Sequence, residues 1–257
     1  VILKRIAIFV GLLLAPLGLA VRAQEPDRRG EVTVDKPVYR GVRASAPIDP
    51  KHHVRNEGGS DGAGLCVISS ILANGMHQGV PGLATPGYDE RSRSNMPGKG
   101  SVLWQTAKAR PGGYSPDKLE KLVQTAVPGE KYASYLGTDT SVIEDWSKKG
   151  YPIGSTLNTG KLYGYRPIHH MISLIHYRRG SWASIVDNND PGNFTWMPSA
   201  EYDRRWLDGG VGWAFIWTRL PASAKSFAFA LFLLAAALIL LAASRQPQPA
   251  PMEAQPT

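Results

Sequence analysis

Cysteine is almost absent: Cys66 stands alone in 257 residues. No disulfide framework is available within these residues, although exported proteins commonly carry their cysteines in pairs. Metal-binding spacing is missing too. The 6 histidines fall at His52-His53, His77, His169-His170 and His176. No pair has HExxH or another recognised zinc spacing, so neither a metal nor a cofactor is expected. The formal net charge is +8, yet Arg22, Arg28, Arg29, Arg40 and Arg43 are scattered. No basic stripe with interleaved aromatics accompanies them, so no nucleic-acid partner is expected. The charge reads as solubility or as attraction to an anionic surface such as lipid headgroups or wall polymer. No internal repeat is present.

Two apolar stretches lie near the ends. Lys4 and Arg5 precede an apolar run over 6–20, and Val21-Arg22-Ala23 follows with small residues at the positions a signal peptidase reads. This predicts a signal peptide over 1–23; the alternative reading is an uncleaved anchor. Residues 227–244, FAFALFLLAAALILLAAS, carry no charge and are flanked by Lys225 and Arg245. They predict a transmembrane helix over 226–244, followed by a Pro-rich tail over 245–257. The expectation is a single-pass cell-membrane protein, held in the membrane by its C-terminal helix, with its domain on the extracytoplasmic side. Residues 24–54 read as a linker or extended arm and 55–220 as one domain.

Within that domain, helices are expected over 65–76, 102–109, from Ser115-Pro116 onward, and from a capping box at Ser141 and Glu144 to about Gly150. Strands are expected over 151–157, 170–177, 181–186 and 213–217, the middle two joined as a hairpin through Arg178-Arg179-Gly180. Helices followed by an antiparallel sheet make an α+β fold. The segment PGNFTWMPSAEYDRRW reads as a core-packing loop and short helix with Ser199 as cap. Its alternative is a substrate-binding wall.

Three pieces carry chemistry. Cys66 follows the Gly-rich run NEGGSDGAG and opens a helix. Unpaired N–H groups at a helix N-terminus favour a thiolate and can bind an oxyanion. Cys66 also fits the description of a small buried hydrophobe. His170 starts a strand whose alternation groups it with Ile172, Leu174 and His176. A base there can face a cleft without being buried. Asp187-Asn188-Asn189 ends the returning strand and can orient an imidazole, though Asn, Asp, Pro and Gly also make turns.

The order Cys, His, Asn/Asp resembles that of papain-like cysteine peptidases. GSDGAGLCVISS resembles the loop and helix that carry their nucleophile, and 170–177 resembles their histidine strand, which likewise ends in Tyr. IEDWSKKGYPIGSTL is similar to a helix, Gly-Pro and strand of the bacteriocin-leader-cleaving branch. The resemblance spans roughly 55–217. It implies a papain-like fold and a thiol hydrolase acting on a peptide or protein, with Cys66 as nucleophile, His170 as base and Asn188 as orienting residue. His169 remains a rival to His170, and Asp187 and Asn189 remain rivals to Asn188. The family's oxyanion Gln, six residues before its Cys, is here Ser60, and Asn56 is a candidate substitute. The flanking disulfides of secreted papains are absent. The same triad logic serves a wall-peptide amidase or a transglutaminase-like acyl transferase. The missing Gln also suits a catalytically degenerate domain that only binds.

Overall fold

Strand β11 (Gly212–Trp217) shows how the sequence divides the core. Trp213, Phe215 and Trp217 join one buried cluster, and Ala214 and Ile216 join another. Successive side chains on a strand point to opposite faces, so this sheet is covered on both sides. The computed structural model describes residues 30–56, 65–83, 88–89, 94–95, 101–108, 113–158 and 169–219. The expected signal segment (1–23), membrane span (226–244) and tail (245–257) lie outside the described residues, as does Ser60. No helix among the described residues is long and apolar enough to cross a membrane.

The central sheet has 7 strands, every neighbouring pair antiparallel, in the order β1-β10-β9-β8-β7-β11-β6. These are β1 (Val32–Val34), β6 (Tyr132–Gly137), β7 (Ile153–Asn158), β8 (His169–Tyr177), β9 (Trp182–Val186), β10 (Phe194–Pro198) and β11. Two small hairpins, β2 (Val38–Tyr39) with β3 (Val42–Arg43) and β4 (Tyr88–Asp89) with β5 (Ser94–Asn95), stand apart from it. On one face lie α1 (Cys66–His77), α2 (Val102–Lys108) and α3 (Pro116–Ala126), whose Ile71, Leu103 and Leu122 meet Met171, Phe215 and Trp217. On the other face lie α4 (Thr140–Lys148) and α5 (Ser199–Trp206), whose Ile143, Tyr202 and Trp206 meet Ile172, Leu174 and Ala214. The fold is α+β, as expected.

Gly75 seats α1 on the sheet. A Cβ there would meet Leu83 Cδ1 at 2.3 Å and Trp217 Nε1 at 2.9 Å. Its absence lets Trp217 Nε1 donate to the Ile71 carbonyl at 2.9 Å.

Residues 30–56 pack as part of the domain, where a linker or extended arm over 24–54 is expected from composition. Val32, Val34, Ala44 and Ile48 bury against Ile175, Val186, Phe194 and Trp196. At the start of this arm, the carboxylate of Glu31 pairs with the guanidinium of Arg205, which is 2% exposed and is also held by Glu201 at 2.7 Å. The arm also explains a break in the histidine strand. A register shift lies between Leu174 and His176, and both Ile175 and His176 turn toward the arm. His176 therefore does not share the face of Leu174, as strict alternation predicts; its Nδ1 lies 2.8 Å from Ser45 Oγ. Helix α4 starts two residues earlier than its expected box. Asp139 caps it, accepting from Ser141 N at 2.9 Å.

Candidate active site

Cys66 is the first residue of α1, preceded by Leu65, which supplies no side-chain cap. The N–H groups of a first turn have no partner inside the helix, and that of Val67 turns to the Cys66 sulfur. A second N–H, that of Met171 on β8, reaches the same sulfur. Cys66 is 7% exposed and stands beside His170. Burial pushes the thiol up, but the His170 hydrogen bond and charge and the two backbone N–H groups outweigh it. The net result lies below the ordinary cysteine value.

His170 is 4% exposed. Its Nε2 lies 2.8 Å from Asp187 Oδ1 and 3.3 Å from Asn189 Nδ2. Burial works against a charged ring. The Asp187 and Cys66 hydrogen bonds and charges overcome it and raise His170 to about 9. A raised imidazole beside a lowered thiol describes one coupled pair, in which each group favours the charged form of the other.

The three residues of the turn after β9 divide the work differently from the sequence expectation. Asp187, not Asn188, holds the imidazole. Its Oδ1 also accepts the backbone N–H of Asn189 at 2.8 Å. Asn188 points the other way, into the buried seam between α1 and β8. Its Nδ2 lies within hydrogen-bonding distance of the Cys66 carbonyl (3.0 Å), Ser70 Oγ (2.8 Å) and the Met171 carbonyl (2.9 Å). In this turn the two neighbouring side chains leave the backbone in different directions, Asp187 toward the ring and Asn188 toward the seam. Asn188 thus ties the nucleophile helix to the histidine strand.

His169, the rival base, is exposed, and its ring covers Gly209, where a Cβ would meet its Cε1 at 2.7 Å. Asn56, the candidate oxyanion residue, donates from Nδ2 to Asn189 Oδ1 at 2.9 Å. Ser70 and His53 also support the site, through Asn188 and Gly192. Ser70 could have been found, since it lies four residues after Cys66 and so on the same helix face. It donates to the Met171 carbonyl at 3.0 Å. His53 has no such local signal. Among the described residues, no group of three or more His, Cys, Asp or Glu could hold a metal ion.

The chain matches no known protein-family profile and no curated protein.

Proposed function

We propose that this chain is a papain-like cysteine hydrolase acting on peptide bonds of a peptide or protein, with Cys66, His170 and Asp187 as its catalytic triad. One observation carries the reading: a single buried imidazole has a carboxylate oxygen 2.8 Å from its Nε2 and stands beside the thiol that opens a helix. In this mechanism the Cys66 thiolate attacks the carbonyl carbon, and the electron pair moves onto oxygen. Backbone N–H groups of the first turn of α1 stabilise that oxyanion. The tetrahedral adduct expels the amine, which takes its proton from the His170 imidazolium, leaving a Cys66 thioester. His170, now neutral, removes a proton from water as it attacks the thioester. Collapse releases the carboxylic acid and restores the pair. Asp187 holds the ring's orientation and stabilises its charged form throughout.

The test is covalent trapping by a peptidyl vinyl sulfone, read by intact mass. One adduct per chain at Cys66 is expected, lost in Cys66→Ala and His170→Ala and retained in Ser69→Ala. A folded chain that no such peptide modifies contradicts the reading and favours a domain that only binds. The proposal extends to place: signal and anchor would hold the domain outside the cytoplasm as a single-pass membrane protein. Protease added to intact spheroplasts should then digest it; full protection contradicts that placement.

A further inference from the structure

The carboxylate that holds His170 sits in a turn, and the turn is held from outside the catalytic elements. The packed N-terminal arm reaches it at three points. The Asn56 backbone N–H donates to the Asn188 carbonyl at 2.7 Å. Asn56 Nδ2 donates to Asn189 Oδ1 at 2.9 Å. His53 Nδ1 accepts the N–H of Gly192 at 2.9 Å, at the far end of the same turn. A ring nitrogen that accepts carries no proton, so Nε2 of His53 holds it and donates to the Ile48 carbonyl at 3.2 Å. His53 is fully buried, edge-on to Phe194 at 5.6 Å between centroids. Both ends of the turn are thereby fixed to the arm. Asn189, the residue Asn56 grips, touches Asp187 through its N–H and His170 through its amide.

We propose that His53 and Asn56 are positioning residues: the arm is a built-in latch that holds the Asp187 turn against His170. The inference rests on the catalytic reading above. It has a regulatory consequence. An arm that only shielded a cleft would activate the site when removed. This arm supports the site, so loosening its grip on the turn weakens the site.

The experiment measures the alkylation rate of Cys66 by iodoacetamide against pH, in the full chain. Asn56→Ala is the main variant, because Asn56 is partly exposed and its loss leaves the core intact. With the latch loosened, Asp187 supports the imidazolium less, and less of the thiol is ionised at low pH. The rate near pH 6 should fall about three- to tenfold, and the curves should converge at alkaline pH, where the thiol ionises unaided. Because Asn56 acts through Asn189, adding Asn56→Ala to Asn189→Ala should cause no further fall. His53→Gln, which keeps a donor and an acceptor, should hold the wild-type profile better than His53→Leu. An Asn56→Ala profile that superimposes on a low-pH-reactive wild type overturns the latch alone. So does full additivity with Asn189→Ala, or a rate raised at every pH, which marks local opening. A wild-type profile of an ordinary thiol overturns the catalytic reading and the latch with it.

Discussion

Asp187→Ala removes the carboxylate that Nε2 of His170 touches at 2.8 Å while leaving the Asn188 clamp in place. The rise of His170 from 6.5 to about 9 corresponds to about 3 kcal/mol of preference for the charged ring, at roughly 1.4 kcal/mol per unit. Asp187 and Cys66 both supply it. Giving Asp187 about half yields about 1–2 kcal/mol, on the order of a tenfold change in the imidazolium population. The sign follows from the direction of the shift. A raised histidine contributes stability fully below its ordinary value of 6.5, and the contribution is lost as pH climbs through about 9. In Asp187→Ala that upper limit moves down, toward neutrality. Ring NMR of His170 reads the shift directly, and vinyl sulfone trapping at pH 6.5 should slow about tenfold. Asn188→Ala should behave differently, losing about 1–3 kcal/mol of stability in urea because buried acceptors on Cys66, Ser70 and Met171 lose a donor. The reasoning is refuted if Asn188→Ala moves the His170 titration and Asp187→Ala does not.

Trp206 is buried against Tyr135 and over Gly212. Trp206→Ala should therefore cost about 3–5 kcal/mol in urea unfolding; trapping lost at unchanged stability would make it a substrate wall instead. His77 is held neutral, down to about 4, first by burial and then by the charge of His52, with Asp49 opposing. A lowered histidine costs stability as pH falls from about 6.5 toward 4, so the contribution of His77 alone should be about 2–3 kcal/mol less favourable at pH 4.5 than at pH 7.5, read as the difference between wild type and His77→Gln. Glu31→Ala removes one of the two carboxylates, Glu31 and Glu201, that pair with the buried Arg205 guanidinium, and should destabilise by about 3 kcal/mol, read by urea midpoint.

Periodicity carried much of this architecture. The apolar run of α1, the Ser115-Pro116 start of α3 and the strands now seen as β7, β8, β9 and β11 were all legible, with ends shifted by a residue or two. What could not be read is instructive. Strand β1 lies in a run of Asp, Lys and Pro, and its three residues become a strand only by pairing with β10. Strand β6 is an edge strand with half-exposed residues, so its alternation is weak. Strand β10 ends in Pro198 and runs straight into α5, and a short aromatic segment reads equally as loop. At the site, the pairing of Cys66 with His170 followed from chemistry and order. The choice between Asp187 and Asn188 did not, because it depends on which of two adjacent side chains leaves a twisted strand end toward the ring. His53 and Asn56 were invisible as supports, since their partners lie more than a hundred residues away.

Because Cys66 is the one cysteine in the sequence, the ultraviolet absorbance of its thiolate can be followed with pH in the intact chain without interference from a second thiol. The account predicts a thiolate already formed at mildly acidic pH in wild type, and a midpoint that moves up toward that of an ordinary cysteine in His170→Ala. A wild-type midpoint at or above the ordinary cysteine value, unmoved by His170→Ala, would contradict it.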